Sequence, residues 1–350
     1  MLCVDCKNYK KLSNKTDSLR ILIIKLGAMG DVLRTTFLLE GLKEIYPKSS
    51  ISWIVAKNNQ AVLRNNSFID NVIIDDEKIN SFLINNFFDI VINLDLSPES
   101  LSLAKLANAQ KILGYTLDNS RNIIASNDYA KEWLSMSAYD KLKKENKKTY
   151  QFWMSKITEI NKDNYEIVVP LAKQSLDKAQ NFFESLNTKN DKKIIGINPG
   201  AGKRWKLKKW NTDGFIKTAK YFSKKGHIIL LLGSMEDKEE IENILNAKIE
   251  NVFSTGLENS IPDFFAMINL CDIVLCGDTM AMHCALGLKK NVVAIFGPTS
   301  SAEIEIYNRG SKISSSKNCI CCYRQNCNEK ETCMDLIDAD TIIKTIGGYL

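Results

Sequence analysis

The chain has only two histidines among its 350 residues. One of them, His283, falls within Cys271-Asp-Ile-Val-Leu-Cys-Gly-Asp-Thr-Met-Ala-Met-His-Cys-Ala-Leu-Gly-Leu288. This pattern reads as a short buried strand, Asp272 to Cys276, a sharp turn at Gly277, Asp278 and Thr279, and a helix running to about Gly287. Asp278 and Thr279 are good N-cap residues. Such a turn points free backbone N–H groups and the positive end of a helix dipole at one spot, which suits a phosphate. The plainer reading, a βα turn with a packed histidine, fits the segment equally well.

Three companion loops follow apolar strands in the same half: Pro199-Gly-Ala-Gly202, Gly233-Ser-Met-Glu236 and Gly297-Pro-Thr299. In an open parallel sheet all four turns lie along one carboxyl edge, where ligands bind. The basic run Lys203-Arg-Trp-Lys-Leu-Lys-Lys-Trp210 follows the first loop, and its lysines could neutralise a diphosphate leaving group. Otherwise it is a solvated basic loop with Trp210 packed beneath. Glu236 can accept hydrogen bonds from ribose hydroxyls. Together these features describe a nucleotide site. In the first half, Gly27-Ala-Met-Gly-Asp31 makes a tight turn into a helix but is not a dinucleotide fingerprint. Asp31 there is either a plain N-cap or a general base for a hydroxyl nucleophile, kept ionised by the helix end.

Strands and helices alternate around these turns. Expected strands are Arg20–Leu26, Ser50–Ala56, Val72–Ile74, Asp89–Leu94 and Lys111–Tyr115, with helices over Val32–Ile45, Asn80–Phe87 and Leu101–Ala107. Residues 117–148 break the rhythm with a lysine-rich run, read as a solvated helix face or loop, or else as a lip facing acceptor or membrane. After a helix from Tyr150 the alternation resumes at Lys193. The fold class is therefore α/β, with two doubly wound parallel sheets facing a central cleft. The first domain is expected over 1–170, rejoined by the closing helix in 335–350, and the second over 171–334.

Composition is ordinary for a globular chain. The net charge of +6, from 47 basic and 41 acidic residues, fits an anionic small molecule or an anionic membrane surface, and no nucleic-acid module is present. No apolar run approaches the roughly 18 residues that span a bilayer, and no signal-peptide layout opens the chain. A cytoplasmic protein is expected. Of ten cysteines, Cys271, Cys276 and Cys284 read as small core residues. The others sit at the two ends. Cys319, Cys322, Cys327 and Cys333 offer a tetrahedral set, with Cys321, Cys3 and Cys6 as alternatives. Zinc, iron, an iron–sulfur cluster, disulfides and free thiols all stay open.

Ile21-Leu-Ile-Ile-Lys-Leu-Gly-Ala-Met-Gly-Asp-Val-Leu-Arg-Thr-Thr36 resembles the N-terminal signature of glycosyltransferase family nine, the ADP-heptose:lipopolysaccharide heptosyltransferases. Pro199-Gly-Ala-Gly202 with Lys208-Lys-Trp210, Gly233-Ser-Met-Glu236, Asp278-Thr-Met-Ala-Met-His283 and Phe296-Gly-Pro-Thr299 resemble its donor motifs in order. The resemblance spans residues 20–345. It implies the GT-B architecture, inversion at the anomeric centre, and no catalytic metal or other cofactor. It assigns Asp31 as the base, with Gly30 and Arg34 on the acceptor side. Lys208, or its neighbour Lys209, meets the diphosphate, and Glu236 holds the ribose. Pro199, Gly200, Ser234, Gly277, Asp278, Thr279, Met280, His283, Gly297 and Pro298 complete the donor site. One departure is Met280, where the family has a glycine that leaves backbone free.

The function expected from the resemblance is transfer of a heptose from ADP-heptose to a hydroxyl of a lipopolysaccharide core or related glycan. Such an enzyme is cytoplasmic, with peripheral contact at the inner membrane. The alternatives are a protein O-heptosyltransferase of the adhesin type, a transferase of another nucleotide-sugar, and a non-catalytic nucleotide-sugar scaffold.

Overall fold

The computed structural model describes residues 18–188, 192–202 and 205–350. Cys3, Cys6, Lys203 and Arg204 lie outside the described residues. Strands form where β-branched and aliphatic residues run without interruption, because helices cover both faces of each sheet. The first sheet holds β1 (Arg20–Ile24), β2 (Ser50–Val55), β3 (Asn71–Ile74), β4 (Phe87–Asn93), β5 (Asn108–Leu117) and β6 (Ile123–Ala125) in the order β3-β2-β1-β4-β5-β6. All pair in parallel except β6, which runs antiparallel to β5. The second holds β7 (Ile194–Asn198), β8 (Ile228–Leu231), β9 (Val252–Ser254), β10 (Ile273–Gly277), β11 (Asn291–Phe296) and β12 (Gly310–Ser314), all parallel, in the order β12-β11-β10-β7-β8-β9. Each sheet thus has the doubly wound order, with a switch point between β1 and β4 and another between β7 and β10.

The helix expected over Val32–Ile45 is two helices, α1 (Met29–Thr35) and α2 (Leu38–Ile45). Thr36 interrupts it. Its hydroxyl meets Leu33 O at 2.7 Å and takes part in a two-way exchange with the Val168 backbone, accepting from Val168 N at 2.9 Å. That bond ties α1 to the segment linking the two halves. Between them and the second sheet come α3 (Gln60–Leu63), α4 (Ile79–Asn85), α5 (Pro98–Leu106), α6 (Asp128–Ala138), α7 (Asp140–Glu145), α8 (Tyr150–Ile157) and α9 (Lys173–Ser185). Residues 117–148 are therefore mostly structured. Trp133 of α6 packs edge-on against Tyr150 of α8, with ring centroids 5.9 Å apart. The second half adds α10 (Thr212–Lys224), α11 (Lys238–Asn246), α12 (Ile261–Asn269), α13 (Met280–Gly287) and α14 (Ala339–Gly347).

The expected return of the closing helix to the first domain does not hold. Ile342, Ile343 and Ile346 of α14 are buried with Phe215, Ala219 and Phe222 of α10 and the outer face of the second sheet. Trp210 Nε1 also donates to Ile337 O at 3.0 Å and anchors the approach to α14. An apolar stripe of this kind needs a partner face, and here α10 and the second sheet supply it. Direct helix contact between the halves runs through α1 on α13 and α3 on α12. A Cβ on Gly30 would lie 3.3 Å from His283 Cδ2 and 3.5 Å from Met280 Cα, so glycine permits this approach.

Candidate active site

A cavity of about 720 Å³ opens between the carboxyl edges of the two sheets. One wall is the turn from Ala28 to Asp31 with Arg34, and the other collects loops that follow β7, β8, β10 and β11. Both walls arise from the same local rule: a strand ends, a small-residue turn reverses the chain, and a helix begins pointing at the cleft.

On the first wall, Asp31 does not cap its helix. Its N–H donates to Ala28 O at 2.8 Å, and its carboxylate pairs with Arg34 Nη2 at 2.9 Å, one turn along α1. Its side chain stays 38% exposed, open to the cleft. Burial alone would raise the Asp31 pKa, but Arg34, Lys25 and His283 outweigh it and hold the carboxyl below its usual range. Arg34 is itself fixed: its guanidinium lies 3.9 Å from the ring centroid of Tyr150, whose hydroxyl pairs with Thr35 Oγ1 at 2.8 Å. Arg34 Nε is buried and has no partner among the described residues.

On the second wall, Lys208 Nζ donates to Asp278 Oδ2 at 2.7 Å and to Asp278 O at 3.2 Å. Burial opposes ionisation of Asp278. Lys208 and His283 more than offset it, and the pKa falls to about 2. Thr279, at the N-cap of α13, does not cap it with its side chain and instead donates to Asn198 Oδ1 at 3.0 Å. Asn198 Nδ2 in turn donates to Leu232 O at 2.8 Å, tying the ends of β7, β8 and β10 together. His283, buried on α13, has its pKa lowered to about 4 by burial and then by Arg34, so its imidazole is neutral at neutral pH. Ser234 and Asp237 close the loop after β8, with Ser234 N donating to Asp237 Oδ2 at 2.9 Å. A Cβ on Gly200 would fall 1.7 Å from Asp237 Oδ1, so only glycine lets the loop after β7 lie against that carboxylate.

Of the residues singled out from sequence, Gly30, Asp31, Arg34, Gly200, Lys208, Ser234, Glu236, Asp278, Thr279, Met280 and His283 all line this cavity. Five take other places. Lys209 turns away and pairs with Glu240 of α11, which removes the ambiguity with Lys208. Pro199 and Gly277 shape their turns without lining the cavity. Gly297 packs beneath Cys333 and Met334, where a Cβ would meet their sulfurs at 2.6 and 2.7 Å, and Pro298 faces the cysteine segment. Thr299 and Trp205, which the sequence placed in a donor-type loop and the basic run without a role of their own, also line the cavity. Sequence reasoning missed Asn198, Asp237, Ser300, Glu303 and Tyr323, which line it too. For Asn198 a signal existed, since it closes the strand before the first glycine loop. Glu303 and Tyr323 come from irregular segments with no such marker.

Cys319, Cys322, Cys327 and Cys333 surround a separate cavity of about 60 Å³ behind Pro298. All are free thiols, and Cys321 faces Ser300 and Glu303 instead. Among the described residues no group of three or more ligand-type side chains stands in an arrangement that holds a metal ion. No helix among them is long and apolar enough to cross a membrane.

Residues 78–333 match the model of "Glycosyltransferase family 9 (heptosyltransferase)". The lipooligosaccharide heptosyltransferase 2 of Campylobacter jejuni (serotype O:6) is 30% identical over 175 residues, 47% of this chain and 54% of that protein. The chain thus spans about half the length of the curated relatives it first matches. Among solved structures, the family 9 glycosyl transferase from Veillonella parvula superposes with a TM-score of 0.74 at 19% identity, covering 95% of this chain and 97% of that one. The ADP-heptose lps heptosyltransferase II of E. coli gives 0.66 at 15% identity, covering 95% and 98%. These likenesses fix the architecture as GT-B, two doubly wound domains about a cleft.

Proposed function

Since this chain belongs to glycosyltransferase family 9, we propose that it moves a heptose from ADP-heptose to a hydroxyl of a lipopolysaccharide-core acceptor, inverting the anomeric centre. The observation that carries this reading is that an ionised carboxylate, Asp31, and a lysine, Lys208, enter one cavity from opposite domains. Lys208 and the N–H groups opening α13 receive the diphosphate, and Glu236 reaches the ribose. The acceptor oxygen attacks the anomeric carbon. The bond from that carbon to the β-phosphate oxygen breaks, its electron pair leaves with ADP, and the acceptor proton passes to Asp31. Charge that grows on the departing phosphate then meets Lys208 and the helix end, where donors already in place lower the barrier most. The neutral imidazole of His283 donates a hydrogen bond without adding charge beside Arg34.

In this reading the second domain carries the donor, the first carries the acceptor, and closure at Gly30 and Met280 excludes water. A lipid-anchored acceptor brings the chain to the cytoplasmic face of the inner membrane as a peripheral protein. Asp31→Ala is expected to lower kcat/KM by about 10²–10⁴-fold and to leave ADP affinity in calorimetry unchanged. Wild-type turnover in that variant removes Asp31 from the role.

A second reading concerns the four thiols around the small cavity behind Pro298. A thiolate set of this kind suits structural zinc or iron, and loading would draw the sulfurs inward without touching the transfer step. Elemental analysis of the purified chain decides it: about one metal per chain supports the site, and none removes it.

A further inference from the structure

Three side chains on the cavity wall carry a hydrogen-bonding atom that no described residue uses. Thr299 is buried, lines the cavity, and its hydroxyl has no hydrogen-bond partner among the described residues. Four residues on, Glu303 lines the same cavity with one oxygen held and one free: Oε1 accepts from the Tyr323 hydroxyl at 3.0 Å, and no described donor meets Oε2. Arg34 Nε is the third. Leaving the buried Thr299 hydroxyl and Arg34 Nε unpaired costs about 1–3 kcal/mol each, which favours their use by something that enters the cavity, while Glu303 Oε2 stays open to it.

Glu303 is built into place rather than hanging in solvent. The Tyr323 hydroxyl that donates to it also accepts from Ser300 N at 3.2 Å. Glu303 O accepts from Tyr150 N at 2.8 Å, so the residue is pinned by the first domain as well. Tyr323 is steadied from below by its own N–H, which donates to Pro298 O at 2.8 Å, and from across the cleft by Lys143 Nζ, 4.8 Å from its ring centroid. Burial pushes the Glu303 carboxyl up, against Arg34 and the Tyr323 bond. A carboxyl in this setting is a strong acceptor from neutral hydroxyls and a poor partner for a second anion, so it does not suit the diphosphate.

We propose that Glu303 and Thr299 form the subsite for the hydroxyls of the transferred sugar, with Tyr323 as a positioning residue that orients the Glu303 carboxylate. The inference deepens the nucleotide-sugar reading and rests on it. Glu303 lies in the second domain and lines the same cavity as Asp31 and Arg34 of the first domain and Asp278 of its own. A polyhydroxylated sugar offers vicinal donors to Oε2, and its remaining oxygens accept from Thr299 Oγ1. Tyr323 belongs to the cysteine segment, so that segment shapes sugar recognition rather than nucleotide binding.

The test is calorimetric titration of ADP and of ADP-heptose, without acceptor, into the full chain and three variants. Glu303→Gln is expected to bind ADP within about twofold of wild type and ADP-heptose about tenfold more weakly, a loss near 1.4 kcal/mol. Thr299→Val should give the same split with a smaller loss and no fall in thermal stability, because the hydroxyl it removes has no partner in the protein. That variant keeps the proposal testable if Glu303→Gln folds poorly. Tyr323→Phe should raise the donor KM while kcat stays close to wild type, which a purely structural role for the hydroxyl would not produce. Unchanged ADP-heptose affinity in both Glu303→Gln and Thr299→Val overturns the proposal, as does an equal loss for ADP and ADP-heptose. Failure of the wild type to bind ADP overturns the underlying reading instead, and the proposal with it.

Discussion

The two sheets share one strand order and treat their switch points in opposite ways. Between β1 and β4 the chain fills its own anion site. Asp95 Oδ2 accepts from the N–H groups of Leu26 at 2.6 Å and Gly27 at 2.9 Å, and Oδ1 pairs with the buried Lys25. Asn59 Nδ2 then clamps the same turn through Leu26 O and Gly27 O at 2.9 and 2.7 Å. Between β7 and β10 the equivalent turn faces the cavity, and its carboxylate, Asp278, pairs with Lys208 on the cavity wall. A strand-end asparagine ties neighbouring strands in each sheet, though on non-equivalent strands: Asn93 Nδ2 at the end of β4 donates to Tyr115 O at 2.9 Å, and Asn198 Nδ2 at the end of β7 to Leu232 O at 2.8 Å. One half seals its own switch point and carries Asp31 beside it, while the other leaves the carboxyl edge of its sheet facing the cavity.

Mutations can break this contrast. The largest effect is expected from Asp95→Ala, which strands the buried Lys25 charge and two backbone donors. Denaturant unfolding should show a loss of about 3–5 kcal/mol, while ADP affinity of the folded fraction holds. A loss below 1 kcal/mol would mean that the first switch point is not sealed by this pair. Gly200→Ala comes next. Its Cβ would overlap the Asp237 carboxylate, so the loop must shift at a cost of about 1–3 kcal/mol, read as weaker ADP binding in calorimetry.

A pH profile sharpens the same comparison. The folded-state pKa of Asp31 is depressed, so the carboxylate proposed as the base stays ionised to lower pH than an ordinary aspartate and is lost as pH falls through that lowered value. Arg34→Gln removes the first of the cations that depress it, and the acid limb of kcat/KM should move to higher pH. Arg34→Lys, which keeps the charge, should move it less. An acid limb at the same pH in Arg34→Gln contradicts the pairing. The smallest effect is expected from Lys209→Ala: a stability loss of up to about 1 kcal/mol from its partly exposed pair with Glu240, and ADP affinity within about twofold of wild type.

The sequence made one side of this contrast legible and hid the other. Glycine turns after apolar strands announced the open edge, because tight reversals at a strand end need small residues and helix starts need capping types. Lys208 and Lys209 were indistinguishable in one dimension; a short turn at residues 206–208 sends one to Asp278 and the other to Glu240. The seal on the first switch point was invisible, since Lys25 and Asp95 lie far apart in sequence. Glu303 and Tyr323 escaped notice for a related reason. The cysteine segment reaches the cleft through backbone bonds, Cys321 N to Gly297 O at 2.9 Å and Tyr323 N to Pro298 O, and these leave no side-chain pattern. The closing helix showed its apolar stripe but not which sheet would cover it. Residues 117–148 read as a solvated helix face or loop, and α6 and α7 are largely exposed; what their composition did not show is the packing of Trp133 and Tyr129 on α8, which holds α6 in place.

Calorimetric titration of ADP into the wild type and Lys208→Met tests the division between the halves most directly. One ADP per chain, bound at least about tenfold more weakly by the variant, is the predicted result. Two ADP per chain, or an affinity that Lys208→Met leaves unchanged, would contradict it.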